Sequence, residues 1–355
     1  MLPNGSDSDS QLLWVARDNR DDHRDRGSFR RRSRHGGVIL EAAREIRNLS
    51  VVLLSGGVGG ARMARALADH LPAGQLVVVV NVGDDDDLYG VRVCPDLDTV
   101  MYTLAGIEGP HGWGIRDDTF CVMDRLAELG VDTTFRLGDR DLATCLARSA
   151  ALQDGNTLTD VTRELAANVG VDVPLYPATD AALRTWIQTE GGEWLAFQEY
   201  FVIRGHRDPV RKVIFEGTMA AAPPEGVVEA IEAADLIVIA PSNPVLSIWP
   251  ILAVAGIRRA VEEHDRVVAV SPLFGGKTLR GPAATLLAAQ GFPAGNAGVL
   301  AAYEGLLSDL VVDEGDRADA TLPGDEEIHV ANTRIGEPDA GARFGAWLLD
   351  RMNAP

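Results

Sequence analysis

Two observations predict an α/β protein with a Rossmann-like parallel sheet core and helices on both faces. Short, largely apolar runs rich in β-branched residues recur at residues 51–54, 75–80, 234–240 and 266–270. Strands buried on both faces of a parallel sheet read this way. Each run is followed by glycine, acidic or small polar residues, at 55–60, 81–87, 241–244 and 271–278. The carboxyl ends of strands in an open parallel sheet form its ligand crevice. Four such clusters therefore predict one site.

Taken in order, the first 49 residues hold ten arginines against eight acids and have no apolar h-region. They read as a disordered Arg/Asp/Ser-rich extension rather than a secretory signal, with a short helix expected at 41–48. The core is expected over 50–105 and 231–355. Its first unit is the strand 51–54, a glycine cluster, a helix over 61–70 and the strand 75–80, a βαβ arrangement. Residues 106–230 are more mixed, with helical periodicity at 118–129, 141–152 and 159–169. Residues 194–203 alternate like an antiparallel strand. This stretch reads as an inserted, partly helical subdomain over the sheet's carboxyl edge. The core resumes with the strands 234–240 and 266–270 and ends with short strands at 310–312 and 328–331.

Charge and cysteine usage narrow the function. The formal net charge is −19, and beyond residue 49 the chain carries 23 basic against 44 acidic residues, or −21. A phosphate backbone needs a basic face, so nucleic acid is not an expected partner. Anionic small molecules remain possible, because a metal ion can bridge acidic side chains to phosphates. Cys94, Cys121 and Cys145 are dispersed, without a C-x-x-C pair, which points to a reduced cytoplasm and no structural zinc. No apolar run approaches the roughly 18–20 residues of a membrane span.

The clusters supply distinct chemistries. Gly56-Gly57-Val58-Gly59-Gly60 sits between a strand and a helix, where backbone N–H groups and the helix dipole favour a phosphate. It is not a P-loop, and Arg62 occupies the place of the third Rossmann glycine. Asp84 to Asp87 reads as a solvated acidic loop, as ligands for a hard cation such as Mg²⁺, or as an acceptor for ribose hydroxyls. Asp96 and Asp98 stand as metal or hydroxyl ligands opposite the glycines, unless Asp98 or Thr99 is a helix N-cap. Arg136 and Arg140, with Asp139 and Asp141, either clamp an anionic acid or phosphate or form surface ion pairs. Ser242, Asn243, Pro244 and Ser271 offer neutral groups at two further strand ends, and Lys277 adds one cation. Gly276-Lys277-Thr278 mimics the end of a P-loop, but Ser271 stands where its first glycine belongs. The histidines lack metal-ligand spacing and no G-x-S-x-G elbow exists, so a serine hydrolase gains no support.

Several strings resemble the CofD/FbiA family in order from about residue 50 to 315. They are Ser55-Gly-Gly-Val-Gly-Gly-Ala-Arg62, Asn81-Val-Gly-Asp-Asp85, Cys94-Pro-Asp-Leu-Asp-Thr-Val-Met-Tyr-Thr103, Gly112-Trp-Gly114 and Leu137-Gly-Asp-Arg-Asp-Leu-Ala-Thr144. Ala240-Pro-Ser-Asn-Pro-Val245 and Val270-Ser271-Pro272 with Gly275-Gly276-Lys277 complete the set. The resemblance implies a Mg²⁺-dependent phosphotransferase of coenzyme F420 biosynthesis. Its implied donor is a guanosine diphosphate ester of 2-phospholactate or phosphoenolpyruvate. The implied acceptor is 7,8-didemethyl-8-hydroxy-5-deazariboflavin, and GMP is released. A homodimer is implied, with the guanylyltransferase and glutamate ligase of the same pathway as functional partners. By the same resemblance, Asp98 and Arg136 fall where the flavin binds and Asp84 where the metal is expected, with Asp85 or Asp96 as further ligands. The extension before residue 50 has no counterpart, and Asp86 and Asp87 make the second loop more acidic than usual.

That chemistry suits the residues. Attack of a ribityl hydroxyl on phosphorus needs positioning and charge neutralisation more than a strong base. Glycine amides and Lys277 would hold phosphates, a metal on Asp84 would offset charge, and Asp98 would orient or deprotonate the hydroxyl. Two other readings share the core. A CofD-like regulatory protein binding a nucleotide sugar would lack the strings 95–99 and 137–144. An NAD-dependent oxidoreductase would place Asp84 on a ribose, but would want the third glycine and a His or Tyr–Lys pair.

Overall fold

The structure, a computed structural model, describes residues 49–278, 281–337 and 339–353. The extension expected over 1–49 and the helix expected at 41–48 lie outside the described residues, Leu49 excepted. From there β1 (Val51–Ser55) leads into α1 (Gly57–Ala68), β2 (Leu76–Val80), the hairpin β3 (Asp86–Leu88) and β4 (Val91–Val93), then α2 (Pro95–Ala105). The next stretch holds α3 (Cys121–Glu128), α4 (Asp139–Gln153), α5 (Leu158–Asn168) and β5 (Leu175–Pro177). Next come β6 (Arg184–Thr189), β7 (Trp194–Ala196), a π-helical turn at Glu199–Ile203 and β8 (Val210–Glu216).

The chain then runs through α6 (Val227–Ala233), β9 (Leu236–Ile239), a second π-helical turn at Pro244–Ile248, α7 (Trp249–Leu252), α8 (Ile257–Glu262) and β10 (Val267–Val270). The hairpin β11 (Leu273–Phe274) and β12 (Lys277–Thr278) precedes α9 (Ala283–Ala289), α10 (Asn296–Ala302) and β13 (Asp309–Asp313). A 3₁₀ stretch, Glu314–Thr321, leads to β14 (Glu327–Ala331) and α11 (Ala340–Asn353).

Seven strands form one parallel sheet in the order β14-β13-β10-β9-β1-β2-β5. The chain builds outward from β1 through β2 to β5, then returns to β9 on the other side of β1 and builds outward again. Right-handed crossovers running in opposite directions place their helices on opposite faces. The apolar runs behave as their composition requires, since β1, β9 and β10 are buried along their whole length. Among the described residues, no helix is long and apolar enough to cross a membrane.

Four local expectations change. The glycine cluster is the first turn of α1 rather than a loop ahead of it; Gly57 enters the helix in the left-handed region, at φ +62°. α2 begins at Pro95, with Cys94 as its N-cap, so neither Asp98 nor Thr99 caps it. Proline is favoured at a first helical position, where no N–H is needed. The strand expected at 194–203 lasts only Trp194–Ala196, after which the chain coils into a π-helical turn. Phe197 stacks on Phe201 at 5.3 Å, a four-residue spacing that suits a helical turn and not a strand. β7 instead joins β6 and β8 in a three-stranded antiparallel sheet. The segment 106–230 thus carries that small sheet and three helices, and it also supplies β5, an edge strand of the main sheet.

Candidate active site

The reversal of strand order lies between β1 and β9, and at such a switch point an α/β sheet opens its crevice. Ser242, just past β9, grips the turn after β1 twice. Its hydroxyl accepts from the Gly56 N–H at 3.3 Å and donates to the Gly56 carbonyl at 2.7 Å. A Cβ added at Gly59 would lie 2.2 Å from the Pro241 carbonyl oxygen, so α1 reaches this position only because Gly59 lacks a side chain. Gly60 presses in the same way on Ser55 and Ser242. These glycines serve close packing, which leaves Gly56 and Gly57 as the backbone that faces the acids. Asn243 accepts from the Val245 and Leu246 N–H groups at 3.0 and 3.2 Å, and so caps the turn that begins at buried Pro244.

The four acids of the run meet three fates. The Asn81 amide donates to both Asp84 (3.2 Å) and Asp96 (2.9 Å), drawing two buried carboxylates together, and its oxygen accepts from the Gly83 N–H. Asp96 is also hydrogen-bonded by the Gly57 amide. Asp85 turns to Cys94, whose thiol donates to it at 3.0 Å, and helps line a small cavity of about 40 Å³. Asp86 and Asp87 are partly exposed and are held by Arg184 at 3.3 and 3.1 Å, with Arg92 adding a 2.7 Å contact to Asp87. Two further donors fix the run: the Thr185 N–H of β6 reaches the Gly83 carbonyl, and the side chain of Gln198, just past β7, reaches the Asp84 carbonyl at 2.7 Å.

Burial and mutual repulsion set the charge on this pair. Burial, with the neighbouring Asp96 and Asp85 charges, raises the Asp84 pKa well above the carboxylate range. Burial pushes Asp96 to about 6, against its bonds from Asn81 and Gly57, and pushes Asp85 to about 7. Two desolvated carboxylates that share one amide call for a proton or a cation between them. A hard divalent ion with oxygen ligands fits Asp84 and Asp96 on that ground. Asp85, directed to Cys94, does not converge with them. Among the described residues, two trios bring three ligand atoms within 4.8 Å, Asp98–Asp141–Cys145 and Asp309–Glu327–His329, both apart from the Asp84–Asp96 pair. Arg148 already neutralises the first and Arg351 the second.

Asp98 lies deeper in α2 and forms a buried ion pair with Arg148 of α4. Burial raises the Asp98 carboxyl while the guanidinium opposes it. Among the described residues Arg148 is the largest fully buried side chain, and it also donates to the Arg92 carbonyl at 3.3 Å. Next to this pair the Tyr102 hydroxyl donates to Asp141 at 2.9 Å, and Thr99 is buried in the same helix.

The remaining expected residues sit farther out. Arg136 pairs with Asp124 at 2.6 Å and lies over the Phe120 ring, all of it exposed. Asp139 accepts from the Cys121 and Val122 N–H groups at 3.0 Å each and from the Thr119 hydroxyl, so it caps α3. Ser271 is fully buried, bonded to Asn296 and to the Leu273 N–H. Lys277 is exposed on β12, while the neighbouring Gly275 and Gly276 amides are held by Asp316 at 2.9 and 2.6 Å. The structure therefore gathers Gly56, Gly57, Asp84, Asp96 and Ser242, with Asp98 behind them, and leaves Arg136, Asp139 and Lys277 on their own contacts. Sequence reasoning missed Arg148, Arg184 and Gln198. They lie 50 to 114 positions from the acids they hold, and nothing local marks them.

A parallel, doubly wound sheet with buried carboxylates at its switch point defines a nucleotide- or phosphate-handling α/β enzyme. Comparison with known proteins makes the class specific. The model of the family 2-phospho-L-lactate transferase CofD matches residues 51–339. A Methanopyrus kandleri 2-phospho-L-lactate transferase is 39% identical over 307 residues, covering 85% of this chain and 97% of its own length. Phosphoenolpyruvate transferases from Streptomyces griseus and Streptomyces coelicolor are 43% and 44% identical, covering 81% and 77% of this chain and 91% and 87% of theirs. A Bacillus halodurans protein of the UPF0052 family shares the fold, at a TM-score of 0.57 and 17% identity over 85% of this chain and 99% of its own. The chain belongs to the CofD family, transferases of coenzyme F420 biosynthesis.

Proposed function

We propose that this chain transfers a 2-phospholactyl or enolpyruvyl-phosphate group from a guanosine diphosphate-linked donor to 7,8-didemethyl-8-hydroxy-5-deazariboflavin, releasing GMP. The observation that carries this reading is the buried Asp84–Asp96 pair, held by Asn81 against the glycine entry to α1. The entry supplies the dipole and first turn of a helix for a diphosphate, and the carboxylates supply the counter-charge for a metal beside it. Mg²⁺ held by Asp84 and Asp96 would neutralise charge on the bridging oxygens as the phosphorus–oxygen bond to the nucleotide breaks. The family model and the transferases of both acid types support the reaction class.

The chain's own residues then position the reactants. The first turn of α1 orients the diphosphate, and Ser242 and Asp96 fix the Gly56 and Gly57 backbone that leads into it. Asp98, aimed by Arg148, orients the ribityl hydroxyl for attack on the acid-bearing phosphorus. Lys277, on an exposed hairpin, and Arg136, exposed beside Asp124, would reach outlying phosphate and flavin groups. A cytoplasmic homodimer working beside the guanylyltransferase and the glutamate ligase completes the proposal.

The test is mass spectrometry of the product formed from the deazaflavin with each guanylated donor in the presence of Mg²⁺. One of two products differing by two hydrogens is expected, together with GMP. Absence of both, with folded protein and intact substrates, overturns the reading.

A further inference from the structure

The hairpin β11–β12 is made of the pairs Leu273–Thr278 and Phe274–Lys277, with Gly275 and Gly276 as its turn. It follows the carboxyl end of β10, the strand beside β9, and so stands along the same edge of the sheet as the candidate site. An isolated two-stranded hairpin is at best marginally stable in water, and this one has only two residue pairs. Both turn glycines lie in the left-handed region, at φ +62° and +70°, where glycine fits without strain but gives up the most chain freedom. Left to itself, this hairpin would not keep a fixed shape.

Contacts from elsewhere in the chain fix it. Asp316, buried in the 3₁₀ stretch, accepts from the Gly275 N–H at 2.9 Å through one oxygen and from the Gly276 N–H at 2.6 Å through the other. Two successive amides turned on one carboxylate make an anion-binding concavity, and bonds to an ionised acceptor are the strong kind. A Cβ added at Gly315 would lie 3.5 Å from the Gly275 nitrogen, so the 3₁₀ stretch and the turn are in contact. On the flank, the Arg334 guanidinium lies 5.3 Å from the centre of the Phe274 ring. At the base, Leu273 is fully buried and the Thr278 hydroxyl donates to the Gly281 carbonyl at 2.7 Å. Lys277 is nonetheless exposed, and among the described residues its ammonium makes no ion pair. A buried carboxylate is thus committed to holding still a turn whose adjacent cation is uncommitted.

We propose that Asp316 is a positioning residue, whose grip on the Gly275–Gly276 turn sets where the Lys277 ammonium meets a phosphate of the donor. The inference rests on the phosphate-binding role of Lys277 in the proposed function and adds the group that aims it. A hairpin released from Asp316 would still carry the lysine, but binding would then bear the entropy of ordering the turn.

The test is a double-mutant cycle on the full-length protein, read by steady-state kinetics in the guanylated donor at saturating deazaflavin and Mg²⁺. Lys277→Ala and Asp316→Asn should each raise the donor KM about fivefold, with the deazaflavin KM within about twofold of wild type. In Asp316→Asn the side-chain oxygen can still accept from one N–H, but its amide group faces the other donor. The double variant should be no worse than Lys277→Ala, because a clamp that acts through Lys277 has nothing left to aim. Gly275→Ala strains the turn without touching Asp316, and should show the same loss and the same non-additivity. Thermal unfolding checks that the variants are folded. Losses that add in the double variants overturn the clamp, as does a donor KM unchanged in both Asp316→Asn and Gly275→Ala, or in Lys277→Ala. In each of those cases product formation by the wild type leaves the transferase reading standing. No product from the folded wild type with intact substrates sinks that reading, and the clamp with it.

Discussion

Asp84 is the metal candidate because its neighbours are already engaged. Arg184 and Arg92 neutralise Asp86 and Asp87, and Asp85 accepts from Cys94, so Asp84 is the member of the run that turns toward Asp96. Read from the residues alone, the run offered a cation site as one of three readings, and only the family resemblance singled out Asp84 among the four acids. Their chemistry is identical, and the choice is made by an arginine about a hundred residues away. Asp84→Ala should abolish Mg²⁺-dependent turnover without unfolding the chain, because it also relieves repulsion with Asp96. Asp86→Asn, at a partly exposed ion pair worth at most about 1 kcal/mol, should keep most of the activity. Steady-state assays with circular dichroism on both variants check this; full turnover in Asp84→Ala removes the metal assignment. Asp98 differs in kind. Its carboxylate is tied to a fully buried guanidinium, so its orientation is fixed.

Helix and strand boundaries moved where side chains farther along the chain overruled local patterns. The glycine cluster joined α1 because Gly59 must approach the Pro241 carbonyl, a contact that no periodicity reveals. α2 absorbed Asp96 and Asp98 because Pro95 is a favourable first residue. That places the two carboxylates on neighbouring parts of one helical turn, Asp96 toward Asn81 and Asp98 toward Arg148. β6 alternates buried and half-buried positions along Arg184–Thr189, a pattern present in the residues and not recognised. A substitution at the α1 contact tests the packing argument. Gly59→Ala places a Cβ against backbone that cannot swing aside, and should destabilise by about 1–3 kcal/mol. The urea midpoint reads this directly, and an unchanged midpoint would mean that α1 is not so tightly seated.

Across the molecule, the two ends of the sheet do different work. The carboxyl ends hold the candidate site, while the amino ends of β13 and β14 are tied by ion pairs. Asp309 accepts from His329 at 2.7 Å and from Ser308 at 2.7 Å, and Arg351 of α11 joins His329 and Glu327. Burial raises the Asp309 carboxyl, but the His329 and Ser308 hydrogen bonds outweigh it and hold the pKa below the usual range. A carboxyl depressed in the folded state contributes stability above its unfolded pKa, and that contribution is lost as pH falls through the folded value. The wild type should therefore lose about 1 kcal/mol more than Asp309→Asn as the pH drops from 5 toward 3. Denaturant titrations at several pH values measure the difference, and parallel pH profiles for the two proteins would contradict it.

The α/β class, the places of six of the seven main strands along the chain, the clusters at their carboxyl ends and the family were all readable from the residues. Strands apolar on both faces, turn glycines and short motifs are local signals, and each is carried by a few consecutive positions. The pairing of Asp84 with Asp96, the burial of Asp98 on Arg148, the commitment of Asp139 to a helix cap and the grip of Asp316 on the Gly275–Gly276 turn were not readable. Each depends on which distant side chain arrives at a given point, and that is set by packing across the sheet rather than by any spacing along the chain.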